Sequence, residues 1–126
     1  MGTPLIAAKE YFRCMLESDA DGMERLFATD AVLSVFNGTV RRGRASIRDF
    51  YENSGMRQGI RPHPQEPIEE GNRCVVEIIV DLPDGSHTRV VDIFTVDDDG
   101  QVTSLRIYQG LLLDEDSLPV VSTGES

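Results

Sequence analysis

Asp92 sits within Val90-Val91-Asp92-Ile93-Phe94, with apolar neighbours on both sides. A carboxylate placed there without water or a cation becomes neutral or takes a partner. A neutral acid can donate a hydrogen bond to a ligand oxygen. Alternatively, the group bonds a buried side chain or caps a bulge. Glu77 is a second acid of interest. If Asp84-Gly85 forms the centre of a two-residue turn, Glu77 faces Asp92 across the hairpin, with Cβ atoms ~5 Å apart. Two carboxyls that close cannot both ionise cheaply, so one serves as acid and the other as base. A three-residue loop would flip the parity and send Glu77 to solvent. His63 and His87 are candidate bases, histidine being the side chain suited to that role at neutral pH. His87 stands beside a turn, which reads as solvent.

The elements that must position these groups follow from periodicity. Residues 4–18 carry Leu5, Ala8, Phe12, Met15 and Leu16 at helical spacing, with Tyr11 on a neighbouring stripe. Asp19 or Asp21 can cap a second, short helix holding Met23, Leu26 and Phe27. Ala31–Phe36 is β-rich, and Asn37-Gly38 then signals a hairpin. Ala45–Tyr51 reads as a third helix, ended by Asn53-Ser54-Gly55. Residues 56–66 read as an irregular, proline-containing connection. Three strands follow, at 73–82, 87–96 and 101–109, joined by turns at Asp84-Gly85 and Asp97–Gly100. Helices followed by hairpin-linked strands predict an α+β fold, with the helices on one face of an antiparallel sheet. Val76, Ile78 and Val80 share one parity, and Val75 and Ile79 the other. The second apolar face predicts a homodimer paired through the outer side of the sheet.

Composition narrows the function classes. The chain has 126 residues, 40% of them hydrophobic, and a net charge of −10. That length fits one domain, expected over residues 1–113 with an acidic tail at 114–126. The charge argues against nucleic acid as a partner. Arg41, Arg42 and Arg44 read as a solvated approach to the third helix. Arg89 and Arg106 alternate with apolar residues and read as outward-facing. No apolar run reaches membrane-spanning length, and no leader pattern opens the chain, so the expectation is a cytoplasmic protein without membrane contact. Cys14 and Cys74 lack metal-ligand spacing, and Asp97-Asp98-Asp99 lacks the longer calcium-loop pattern. Neither a metal nor a cofactor is expected.

Several phrases carry a resemblance. These are Tyr11-Phe12, Leu26-Phe27-Ala28-Thr29-Asp30-Ala31-Val32, Gly43-Arg44-Ala45-Ser46-Ile47, Phe50-Tyr51, Asp92-Ile93-Phe94 and Asp99-Gly100-Gln101-Val102 with Tyr108. Together they resemble the nuclear transport factor 2-like superfamily over about residues 4–110. Within it, the ketosteroid isomerases offer the sharpest comparison. The resemblance implies a cone-shaped, curved sheet with three N-terminal helices on its concave face. It implies an oxyanion-type site in which a tyrosine and a neutral aspartic acid hold an enolate. Tyr11 and Asp92 fall on those positions, and Tyr51 on a supporting tyrosine. The base position falls on Val35, or on Ser34 if the alignment slips by one, and neither can take a proton from carbon. Glu77 is the candidate replacement, and His63 lies on a connection that runs near the pocket mouth in this fold.

Alternation places Val90, Asp92 and Phe94 on one face, with Leu105, Ile107 and Gln109 on the next strand. With Phe27, Val35 and Tyr51 they would line an apolar cone for a small hydrophobic carbonyl compound of steroid, terpenoid or polyketide type. The expected chemistry is proton-transfer isomerisation. A polyketide cyclase or dehydratase, or a binding or assembly module without chemistry, remains open on this reading. An epoxide hydrolase fits less well, because Ile107 stands where that branch needs an acid.

Overall fold

A computed structural model describes residues 3–56 and 60–110. The order of elements is α1 (Pro4–Glu17), α2 (Ala20–Leu26), β1 (Phe27–Val35), β2 (Val40–Arg42) and α3 (Arg44–Phe50). A π-helical turn (Tyr51–Gly55) and strands β3 (Arg61–Pro64), β4 (Ile68–Glu70), β5 (Arg73–Asp81), β6 (His87–Val96) and β7 (Val102–Gln109) follow. The boundary expected at residue 113 and the acidic segment 114–126 lie outside the described residues.

The expected α+β architecture holds. The sheet runs β2-β1-β7-β6-β5-β3, with β4 also on β5. Neighbouring strands are antiparallel except β1 and β7, which are parallel. The connection read as irregular contains β3, and β4 follows it; both lie on the same edge of β5. Pro62 and Pro64 hid β3, because proline cannot donate to a ladder; an edge strand tolerates that loss.

Helix α1 starts at Thr3, whose Oγ1 accepts from the Ile6 amide at 3.1 Å, and Pro4 occupies the first turn. Glu69 on β4 accepts from the Leu5 amide at 3.0 Å, which ties the helix start to the sheet edge. The helix buries Ala7, Ala8, Tyr11, Phe12 and Cys14 against the sheet, whereas Leu16 stays exposed. Asp19 caps α2 through the Gly22 amide and also pairs with Arg13 at 2.9 Å. Tyr11 packs edge-to-face on Phe94 of β6, with ring centroids 5.2 Å apart.

The β5–β6 loop decides the register of the sheet's centre. The Leu82 amide donates to the Ser86 carbonyl at 2.9 Å, and the Gly85 amide to the Leu82 carbonyl at 3.0 Å. Three residues, Pro83, Asp84 and Gly85, therefore separate the bonded pair. Gly85 has φ +89, the left-handed position that a three-residue loop requires of its last residue. The Asp84 carboxylate accepts from the Ser86 amide at 2.9 Å and steadies the turn. The β1–β2 and β6–β7 hairpins close in the same way, with Gly38 and Gly100 in the equivalent place.

Val76 consequently faces Asp92, and Glu77 faces Val91. This corrects the expected Glu77–Asp92 pairing. The dipeptide Asp-Gly serves two-residue and three-residue loops alike, and the longer loop moves every side chain of β5 to the other face. Cys74, Val76, Ile78 and Val80 point into the core, while Glu77 is exposed on the outer face.

Candidate functional site

Between the inner face of the sheet and the helices lies an open cavity of about 450 Å³. That size is typical of pockets for drug-sized ligands. Tyr11 enters from α1, Tyr51 from the start of the π-helical turn, and Asp92 from the middle of β6. Tyr51 holds its place because the Met56 amide reaches back to the Tyr51 carbonyl at 2.9 Å, one residue beyond the α-helical spacing. Such widened turns are common at functional sites.

The Tyr11 and Tyr51 hydroxyls meet at 2.7 Å, both buried. Burial pushes the Tyr11 hydroxyl far up from its usual range, and the neighbouring Tyr51 and Asp92 add to the shift. Burial raises Tyr51 as well. Both therefore remain neutral hydrogen-bonding groups across the physiological range.

Asp92 is 3% exposed. Its strand neighbours on this face are Val90 and Phe94, and Val76 and Ile107 lie opposite it on the two flanking strands. Oδ1 is buried without a hydrogen-bond partner among the described residues. Desolvation by burial pushes the carboxyl up to about 8. At neutral pH the acid is mostly protonated. It is the one carboxyl that lines the cavity among the described residues.

Of the residues singled out in the sequence, Tyr11, Asp92, Val35, Tyr51, Val90 and Ile107 line this cavity. Phe27, Phe94 and Leu105 do not. Each is fully buried in the core rather than on the cavity wall. Alternation assigned the face of Phe94 and Leu105 correctly but says nothing about which end of that face the helices cover; Phe27, expected on the second helix, instead opens β1. His63 is also outside. On β3 it is the buried Pro62 that faces the cavity, while His63 turns outward and bonds Asp81 at 2.7 Å. His87 reaches the same carboxylate at 2.9 Å and is exposed, as its place beside a turn implied.

Other residues were missed. Ile78 and Val80 line the cavity because the true parity of β5 brings them there. Thr88 supplies a polar group and accepts from Gln109 at 2.8 Å; Gln109 itself lines the cavity on the face where alternation put it. Arg41, read as solvated, is half-buried and lines the cavity. Its alternation with Thr39, another lining residue, was the available signal.

A family model described as a SnoaL-like domain matches residues 8–105. The chain belongs to the SnoaL-like domain family. Solved structures similar to this SnoaL-like domain share its fold over most of the chain. The epoxide hydrolase/cyclase-like enzyme SalBIII, of pyran ring formation in the polyether salinomycin, is 25% identical, with a TM-score of 0.72 over 83% of this chain and 88% of that one. A protein assigned as a polyketide cyclase, from Sinorhizobium meliloti, is 24% identical, with a TM-score of 0.73 over 80% and 92%. RV0760c from Mycobacterium tuberculosis, in complex with estradiol-17beta-hemisuccinate, is 20% identical, with a TM-score of 0.77 over 88% and 96%. No curated protein matches. Among the described residues no helix is long and apolar enough to cross a membrane.

Proposed function

We propose that this SnoaL-like domain binds a hydrophobic carbonyl compound of polyketide, terpenoid or steroid size and acts on it through Asp92, without a cofactor. The observation that carries this reading is the unpartnered, buried Asp92 carboxyl on the wall of a largely apolar cavity. An orphaned buried polar group is costly, and a ligand oxygen accepting from it would offset that cost.

One carboxyl can run a complete proton cycle. The neutral acid gives its proton to the carbonyl oxygen as a nucleophile within the same ligand attacks the carbonyl carbon. The carboxylate so formed takes the proton that the nucleophile sheds. The ligand is isomerised, with a ring closed, and Asp92 returns to its starting state. The Tyr11–Tyr51 pair supplies a second donor for the oxygen. Ring closure fits better than double-bond migration between two carbon sites, because Glu77 faces outward and Val35 cannot take a proton. Cyclase-like enzymes among the structural relatives point the same way.

The absence of a second acid–base group from the described cavity wall favours one alternative, a binding module without chemistry. Asp92→Asn separates the two. It retains the shape and a donor but cannot transfer a proton. A cyclase loses turnover at least tenfold while still binding its ligand. Unchanged turnover would sink the acid–base role.

The same reading places the protein in the cytoplasm as a homodimer. Val75, Ile79, Val91 and Ile93, half-buried on the outer sheet face, support the pairing. Sedimentation giving a monomer at micromolar concentration would count against it.

A further inference from the structure

Arg41 lines the cavity from β2, and its guanidinium is only loosely held. Its two hydrogen bonds to described residues both leave from Nη1, to the Ser46 carbonyl and to Asp49 Oδ2, and both are 3.4 Å long. Good N–H···O bonds lie near 2.9 Å. Arg13 and Arg48 contrast with it. Arg13 is held by Glu10, Glu17 and Asp19 at 2.6–2.9 Å. Arg48 is held by Asp21 and Glu24 at 2.7 Å and more loosely by Glu52. Arg41 is thus less tightly held than either, with only the long contact to Asp49 as an ion pair among the described residues. It is the one cation that lines the cavity among the described residues.

An aromatic ring lies beneath it. The guanidinium carbon lies 5.8 Å from the centroid of the Phe50 ring, another lining residue. A cation–π contact of this kind attracts the guanidinium to the ring face while leaving its N–H donors for a ligand. A fork of this kind matches a carboxylate through two parallel hydrogen bonds.

Strand register sets the separation from Asp92. Asp92 pairs with Ile107, Ile107 with Val35, and Leu33 of the same strand with Arg41. Three strand spacings and two residues along β1 put the two Cα atoms roughly 15 Å apart along the sheet. The cavity thus has a neutral acid in one region and a cation in another, with apolar side chains between them.

We infer that the ligand is an amphiphilic anion: a hydrophobic body with a carbonyl near Asp92 and a carboxylate, or a similar planar anion, held by Arg41. This deepens the reading of the cavity given above and rests on it.

The test compares two probes, the 17β-carboxylic acid of androst-4-en-3-one and its methyl ester, by calorimetry at pH 7. The wild-type chain is expected to bind the acid at least tenfold more tightly than the ester. Arg41→Met should erase that difference while leaving ester affinity within twofold. Arg41→Lys, which keeps the charge and loses the fork, should retain part of the preference. Equal binding of both probes by the wild type, with no effect of Arg41→Met, overturns the anion inference alone. If neither probe binds, the carbonyl-ligand reading of the cavity falls, and the inference falls with it. Melting temperatures of the variants check that the β1–β2 hairpin, which Arg41 also braces through Asp49, is intact.

Discussion

The Tyr11 and Tyr51 hydroxyls share a 2.7 Å hydrogen bond on the wall of the cavity that Asp92 also lines. One tyrosine comes from the first helix and the other from a π-helical turn forty residues later, so the bond ties two elements together at the site. Its partners are buried, and removing one hydroxyl leaves the other without its partner.

That bond gives the first prediction. Tyr11→Phe should lower the unfolding free energy by about 1–3 kcal/mol, the cost of an unsatisfied buried hydroxyl. Tyr51→Phe should do the same. The double variant should cost clearly less than the two single losses together, because no orphan remains. Urea denaturation of all four proteins measures the coupling. Additive losses would show that the hydroxyls do not depend on each other.

Asp92 links stability to pH. Its folded value of about 8 stands above the ordinary 3.8. Between those values the folded chain keeps a proton that the unfolded chain releases, so stability falls as pH rises through the window and levels off above it. Asn at this position cannot ionise. Asp92→Asn should therefore gain stability relative to the wild type from pH 4 upward, approaching on the order of 5 kcal/mol at pH 8. Chemical denaturation at several pH values reads this directly. An offset between the two proteins that does not vary with pH would rule out the buried neutral acid.

The same protonation governs ligand affinity. A carbonyl ligand that accepts from neutral Asp92 should bind with constant affinity below pH 7 and more weakly above about 8, where the donor ionises. Repulsion between a carbonyl oxygen and the carboxylate then makes the decline steeper. In Asp92→Asn the profile should be flat. Titration of a neutral keto-steroid across pH 6–9 tests it, and a flat wild-type profile contradicts the donor role.

Glu77 provides a control. It is exposed on the outer face, opposite Val91. Glu77→Gln should leave ligand affinity and any turnover within twofold of the wild type. A tenfold loss in either would mean that Glu77 reaches the site after all.

Much of this arrangement is written in local pattern. Helical spacing around Phe12 and alternation around Val90, Asp92 and Phe94 follow from the geometry of helix and strand, each of which buries one side. An acid with apolar neighbours along a strand was visible as an anomaly for the same reason. The phrases near Tyr11, Gly43 and Asp92 carried the resemblance that the family match supports.

What local pattern could not settle was register, depth and company. Glu77 or Val76 could each have faced Asp92, because a single residue of loop length separates the two outcomes and Asp84-Gly85 permits both. Phe94 and Val90 share a face, yet one lies at 0% exposure in the core while the other borders the cavity, and the packing of α1 over that face decides which. Arg41 belongs to a run of three basic residues in the chain; the folding of β2 beside α3 lays it over Phe50 and turns it into the cavity. Secondary structure depends largely on neighbours in sequence, and so most of it could be read from the residues in order, the edge strands β3 and β4 excepted. The site joins β6, β2, α1 and the π-helical turn, and only their packing together brings its groups to one cavity.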